Sequence, residues 1–426
     1  MSYKVIVAHP GKQHSFRLAS ALKKNGMLCK YVTTIYDKKS SFMMRILKKF
    51  LDQGNRKRVN SRKNPDLIDD DIDQFCELSG LIEIILARYD KSKRFYNKWH
   101  AFTSDRFGKK VAALAMREKV DAVIMYDTNS LSCFEILKKE APGIKRIMDS
   151  SAANRLFMKK VYEQDIKTCP IFSRKLKGEV SYLWDKRSID RCMREIDNTE
   201  YFLVPSEFVK KSFLFSNIEE QKIKICPYGS NFEVATHIIE DDSLSRCLEA
   251  VYVGNVTEMK GIYYLLEAVS SIPNNLVHLT VVGAYDNSLH IFDKYIGRVT
   301  FTGRIQHDEV KKILYESDVF VFASLGEGLS LSVLEALACG LPCIVTEHSG
   351  ANDAIEDYKN GFVIPIQSVK AIKDSLMWFA DNRKLIPEMK QRAVETAEKY
   401  TWEVYEERVS SSIVQIIEGE RDGYIQ

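Results

Sequence analysis

No two cysteines in this chain are spaced C-x-x-C, and the nine present (Cys29, Cys76, Cys133, Cys169, Cys192, Cys226, Cys247, Cys339 and Cys343) are scattered and odd in number. That pattern excludes a disulfide framework and a zinc ribbon, and it predicts reduced thiols in a cytoplasmic protein. Cys339 and Cys343 are the closest pair, but Pro342 lies between them and no histidine stands at ligand spacing, so they read as core cysteines. No window approaches about 20 uninterrupted apolar residues, so no membrane span is expected. The opening MSYKVIVAHPG lacks a basic segment leading into a long apolar one, so export through a cleaved signal peptide is not expected either. The net charge of +4 is too near balance to imply nucleic acid. The phosphate-loop pattern G-x-x-x-x-G-K-[ST] is missing, and so is G-x-G-x-x-G, which counts against a dinucleotide oxidoreductase.

What is present is ordinary globular composition, 45% hydrophobic and 28% charged, over 426 residues. That length exceeds what one hydrophobic core serves, so two domains of about 200 residues are predicted. Short β-branched runs alternate with amphipathic helical patterns: KVIVAHPG then SFRLASALKKNG, DAVIMYD then LSCFEILKKEAP, YFLVPS then EFVKKSFLFSN. The second half repeats the theme with EAVYVGN, HLTVVGAY, RVTFTGRI, DVFVFAS, PCIVTEH and GFVIPI. Two successive Rossmann-like parallel sheets follow. Pro227, Gly229, Ser230 and Asn231 interrupt the pattern, placing the boundary at residue 228, with domains over 1–228 and 229–401. A last helical segment, TWEVYEERVSSSIVQII, begins near residue 402.

Two stretches before residue 110 fit no clean βα unit. In SFMMRILKKFLDQGNRKRVNSRK, Arg45, Lys48, Lys49, Arg56, Lys57, Arg58, Arg62 and Lys63 face only Asp52. It reads either as a solvated helix and loop or as a basic amphipathic patch, residues 42–63, lying on an anionic membrane surface. No recognised nucleic-acid module accompanies the charge, so no nucleic-acid partner is expected. Next, PDLIDDDIDQF offers an Asp-x-Asp of the kind that holds a divalent metal. Its acids follow a basic loop and do not end an apolar strand, so a solvated turn or helix start is expected there.

The chemistry concentrates in EGLSLSVLEALACGLPCIVTEHSG, residues 327–350. The strand pattern of DVFVFAS runs out at Leu325 and Gly326, and a helix is predicted from about Leu329. Its free N–H groups near Leu329, Ser330 and Leu331, with the helix dipole behind them, suit a phosphate or diphosphate. Gly328 permits close approach of a ligand to the backbone. Glu327 and Glu335 then flank the anion, and paired carboxylates accept hydroxyls from a ligand with polyols at both ends, as a nucleotide sugar has. Earlier, Lys260 and Gly261 open the helix after VYVGN, where a lysine reaches the crevice and neutralises a diphosphate. The first loop, AHPGKQHSF, brings Gly11 to the opposite side of the ligand, with Lys12 or His14 beside it.

These residues resemble the retaining glycosyltransferases of family 4, whose GT-B fold sets two Rossmann-like domains face to face across a deep cleft. The likeness rests on the E-x7-E spacing of Glu327 and Glu335, on VGNVTEMKG, on VPSEFVKKSF with KIKICPYGSN, and on the glycine of the first loop. It implies that Glu327 holds donor-sugar hydroxyls and Glu335 the ribose. Gly328, Leu329, Ser330 and Leu331 with Lys260 would bind the diphosphate, and Gly303, Arg304 and Ile305 would lie by the nucleobase. It also implies that the C-terminal helix, 402–426, crosses back to the first domain. Two departures stand out. Asn255 occupies the place where such enzymes commonly carry an arginine, so Lys12, Arg304 or another base must supply that charge. Asp149, in RIMDSSAAN, takes the place of a histidine that faces the donor sugar.

The implied reaction transfers a hexose from a UDP- or GDP-sugar to an acceptor hydroxyl with retention, requiring neither metal nor cofactor. Glu327 and Asp149 are the candidate catalytic residues. The acceptor expected is a glycan or lipid-linked glycan of surface polysaccharide synthesis, placing the protein in the cytoplasm or peripherally on the inner face of the membrane. Two other readings stay open: a sugar-nucleotide epimerase on the same fold, and a non-catalytic partner subunit that binds a nucleotide sugar.

Overall fold

The structure is a computed structural model that describes residues 3–11, 14–38, 63–90, 93–183, 186–236, 247–286 and 290–419. The stretch 42–62 and Lys12 therefore lie outside the described residues.

Among the described residues, seven strands form the first sheet: β1 (Val5–Ala8), β2 (Leu28–Thr33), β3 (Ile72–Gln74), β4 (Ala122–Tyr126), β5 (Lys145–Asp149), β6 (Tyr201–Val204) and β7 (Ile223–Ile225). Six described strands form the second: β8 (Leu248–Val253), β9 (Val277–Val282), β10 (Val299–Gly303), β11 (Val319–Phe322), β12 (Cys343–Thr346) and β13 (Gly361–Ile364). Their orders are β3-β2-β1-β4-β5-β6-β7 and β10-β9-β8-β11-β12-β13, and every pairing is parallel. The central strands read as continuous apolar runs because helices cover both faces. Val5 to Ala8, Ala122 to Tyr126 and Val319 to Val321 are fully buried.

One strand departs from expectation. PDLIDDDIDQF, read above as a solvated turn or helix start, supplies a short turn at Asp69–Asp71 and then the edge strand β3. Asp71 is consumed locally, accepting from Lys23 and from the Ile68 N–H at 2.8 Å. The edge position explains why the strand was hidden: with one neighbour and a half-exposed face, Ile72 is its only buried residue.

The chain passes between the sheets twice, and the passages touch. A Cβ on Gly229 would lie 2.2 Å from the Trp402 nitrogen, and Ser230 N–H donates to the Tyr400 carbonyl at 2.8 Å. Thr401 caps the helix Trp402–Glu418, which packs on the helix Ser15–Lys24 of the first domain. Lys24 pairs with Glu406 at 2.6 Å, Asn25 donates to Ser410 at 3.1 Å, and the Arg17 guanidinium lies 4.9 Å from the Trp402 ring. Among the described residues no helix is long and apolar enough to cross a membrane.

Candidate active site

In a parallel sheet, ligands sit beyond the carboxyl ends of the strands, where the strand order reverses. In the second sheet that point lies between β8 and β11, and in the first between β1 and β4. The two carboxyl ends face one another. A Cβ on Gly328, after β11, would lie 1.6 Å from the carbonyl oxygen of Ser151, after β5. Ser206 of the first domain donates to the Gly328 carbonyl at 2.7 Å. Gly328 is thus needed for space, and in this conformation the opposite domain's backbone fills that space.

Glu327 stands in the loop after β11, held by its own N–H donating to the His348 carbonyl at 2.9 Å. Its Oε1 accepts from Lys260 and from the buried Ser324 hydroxyl at 3.0 Å. Lys260 reaches it from the loop after β8. The adjacent Gly261 has φ +61°, and a Cβ there would lie 1.8 Å from the Ala323 carbonyl, so the left-handed turn and the close approach both require glycine. The two loops at the second sheet's reversal point therefore deliver one cation and one carboxylate to a single spot.

The following helix is Leu331–Ala338, not a helix from Leu329. Ser330 is its N-cap, and the Ser330 hydroxyl accepts from the Val333 N–H at 3.4 Å. A serine one residue past the predicted helix start takes the cap because its short side chain satisfies a donor that leucine cannot. The N–H groups left for a ligand are those of Leu331 and Ser332. Glu335 is nearly buried, at 8% exposure, and accepts from Asn231 Nδ2 at 3.1 Å. Burial raises the Glu335 carboxyl above its ordinary range, against opposing pulls from Asn231 and from His307.

On the first-domain side, Asp149 ends β5 and is buried. His14 Nε2 lies 3.0 Å from Asp149 Oδ2 and 3.2 Å from the Tyr228 hydroxyl. Gly11 N–H donates to His9 Nδ1 at 2.9 Å, and burial lowers the His9 imidazole to about 4, so it stays neutral and accepting. Asn255 and Arg304 are both exposed.

Sequence reasoning passed over Asp127 and Arg155. Asp127 follows β4 directly, and burial raises its carboxyl. Together with Ser150 and Arg155 it lines a cavity of about 250 Å³. A neighbouring cavity of about 460 Å³ is bounded by Gly11, His100, Arg155 and Arg191. The signal was available: DAVIMYD is an apolar strand ending in an acid, as RIMD is. Glu195, buried on the helix Lys186–Asn198, shapes this loop by accepting from the N–H groups of Thr128, Ser130 and Leu131 at 2.8, 2.7 and 3.2 Å. Thr128 sits at φ +72°, so that grip holds a strained turn.

Comparison with known proteins agrees with this geometry. Residues 245–400 match the family model Glycosyl transferases group 1. An uncharacterized glycosyltransferase of Methanocaldococcus jannaschii is 27% identical over 222 residues, 49% of this chain and 56% of that protein. An Escherichia coli UDP-Gal:alpha-D-GlcNAc-diphosphoundecaprenol alpha-1,3-galactosyltransferase is 27% identical over 184 residues, 39% of this chain and 48% of that protein. The chain spans about half the length of the curated relatives it matches. Among solved structures, sucrose-phosphate synthase from Thermosynechococcus elongatus superposes with a TM-score of 0.62 at 15% identity, over 98% of this chain and 99% of that one. The fold is GT-B, two parallel-sheet α/β domains facing each other.

Proposed function

We propose that this chain is a retaining glycosyltransferase of family 4. It would transfer a hexose from a UDP- or GDP-sugar to an acceptor hydroxyl, with a lipid-linked glycan of bacterial-type surface polysaccharide as acceptor. The observation that carries this reading is the convergence of Lys260, Glu327 and the N-terminus of the helix Leu331–Ala338 at the reversal point of the second sheet. The galactosyltransferase relative, whose name specifies a UDP-sugar donor and a lipid diphosphate acceptor, supports the choice of substrates.

In the reaction, negative charge builds on the departing diphosphate. Lys260 and the Leu331 and Ser332 N–H groups stabilise it, positioned before the reaction begins. Glu327 accepts sugar hydroxyls and Glu335 the ribose hydroxyls. Charge on the diphosphate is met by protein donors, so the scheme assigns no role to a metal. No protein nucleophile is placed at the crevice in this scheme; the acceptor attacks from the leaving-group side, and the departing phosphate takes its proton. Asp149 orients the donor sugar from the first domain through the network with His14 and Tyr228. The cavities beside Asp127 and Arg155 receive the acceptor. Closure of the two domains, as Gly328 and Ser151 meet here, excludes the water that would hydrolyse the donor.

The test is thermal unfolding with UDP, GDP, ADP, CMP and dTDP, for the natural chain and for Glu335→Ala. A nucleotide at about 100 times its Kd stabilises by roughly 2.7 kcal/mol. A shift with UDP or GDP that Glu335→Ala abolishes supports the reading, and the absence of any shift removes it. Retention is then read from the anomeric configuration of the product by NMR.

A further inference from the structure

The helix Glu77–Tyr89 turns apolar side chains to solvent in an ordered way. Leu78, Ile82, Ile85 and Tyr89, spaced to share one helix face, are between 40% and 70% exposed. Soluble helices direct such a stripe to a core. The neighbouring helix Arg94–Glu118 adds Phe95 and Phe102, also exposed. The two helices run antiparallel. Trp99 Nε1 donates to the Ser79 carbonyl at 2.9 Å near one end, and Phe95 N–H donates to Asp90 at 2.8 Å near the other. Phe102 therefore lies toward the Leu78 end and Phe95 toward the Tyr89 end.

The charge around this face is predominantly positive. Within the described part of 77–110 there are seven lysines and arginines against four acids. Three of those acids are already engaged: Glu83 with His100 at 2.8 Å, Asp105 with Arg191 at 2.8 Å, and Asp90 with backbone N–H groups. Lys93, Arg94, Lys98 and Arg106 are exposed beside the aromatic rings, with the Arg106 guanidinium 5.4 Å from the Phe102 ring. A second copy seated on this face would set these cations against their own kind. An anionic lipid surface neutralises them while the aliphatic and aromatic side chains enter the headgroup boundary, the division of labour of an interfacial helix.

The same two helices also wall the cavity that Gly11 reaches, through Glu83, Tyr96, Asn97 and His100. We infer that the helix pair 77–89 and 94–118 is a membrane seat for anionic phospholipid, which presents that cavity to the bilayer surface. In assigning the cavity to a lipid-borne acceptor this rests on the proposed transfer reaction; as a claim about lipid binding it is tested separately from it.

The experiment is co-sedimentation of the full chain with vesicles of phosphatidylcholine alone, and of phosphatidylcholine and phosphatidylglycerol in equal parts. The comparison variant is Ile82→Gln/Ile85→Gln/Phe95→Gln, whose fold is checked by its melting temperature and its circular dichroism. Binding to the anionic vesicles only, weakened about tenfold or more in the variant and by added salt, is the expected result. The inference is overturned if the natural chain binds neither vesicle, or binds both alike. It is equally overturned if the variant binds as the natural chain does, which would move the contact elsewhere, or if the triple change alters the molar mass in solution, which would make the face a contact between copies. Anionic-vesicle binding that the variant loses, in a chain that no nucleotide stabilises, would sustain the seat and count against the transferase reading alone.

Discussion

Lys260 donates to Glu327 Oε1 across the mouth of the second sheet, and the Ser324 hydroxyl donates to the same oxygen. Without a ligand each charge satisfies the other. A nucleotide sugar would separate their tasks, drawing Lys260 to the diphosphate and leaving Glu327 to the sugar. Lys260→Ala is therefore expected to lower transfer about 10²- to 10³-fold, the usual effect of deleting a donor aimed at developing charge. Both side chains keep solvent access, at 23% and 20% exposure. Ser324 still serves Glu327 in the variant, so its unfolding free energy should change by about 1 kcal/mol or less. Initial rates and chemical denaturation together check the two halves of this prediction.

Glu335 carries a pH signature. Burial raises its carboxyl above the ordinary value of 4.5 in the ligand-free protein. A group raised on folding contributes stability that is fully present below its unfolded pKa and is lost as the pH rises through the folded one. Nucleotide binding has the opposite sense, because ribose hydroxyls donate to the ionised carboxylate. As pH falls through the raised pKa, UDP or GDP affinity should weaken while this group's effect on the free protein becomes favourable. Glu335→Gln should flatten both trends and weaken binding at neutral pH about tenfold to a hundredfold. Calorimetric titration over a pH series reads the affinity, and melting curves read the stability.

Strands such as β11 and β12 were legible because they are central, buried on both faces and written as apolar runs, as in DVFVFAS and PCIVTEH. Edge strand β3 was not, since only Ile72 of its three residues is buried and acids surround it. The pair formed by Lys260 and Glu327 could be anticipated as two residues at two strand ends, but their contact depends on how the left-handed turn at Gly261 packs against Ala323. The helix start shifted to Leu331 because Ser330 caps it, a choice between adjacent residues that apolar periodicity does not make. Tyr228 reaches His14, which in turn meets Asp149, from 214 residues further along the chain, and only the folded chain brings the three together.

Gly328→Ala tests whether domain closure matters. A Cβ at that position would meet the Ser151 backbone at 1.6 Å, and a carbonyl cannot swing aside as a flexible side chain does. The variant should fold, since each sheet is intact, but its domains should stand further apart. Small-angle scattering is expected to show a larger radius of gyration than for the natural chain, together with a loss of transfer. An unchanged radius and full activity would mean that the contact between Gly328 and Ser151 is dispensable.

A second contact between the domains separates hydrogen bonding from charge. Asp165, buried in the helix Arg155–Thr168 of the first domain, accepts from the Tyr264 hydroxyl at 2.6 Å and from Gln367 Nε2 at 2.9 Å, both in the second. Burial raises this carboxyl although both donors pull it down, so its stabilising share is present below the unfolded pKa and lost as the pH rises through the folded one. Asp165→Asn keeps an oxygen for both donors and removes the ionisation, so it should be as stable as the natural chain near neutral pH, or more so, with weaker pH dependence. Tyr264→Phe leaves a buried acceptor one donor short and should cost about 1–3 kcal/mol. If the two domains unfold as one cooperative unit, Tyr264→Phe lowers a single transition. If this contact is what couples them, the variant should instead show two transitions by calorimetry, the lower one insensitive to nucleotide and the upper one raised by it.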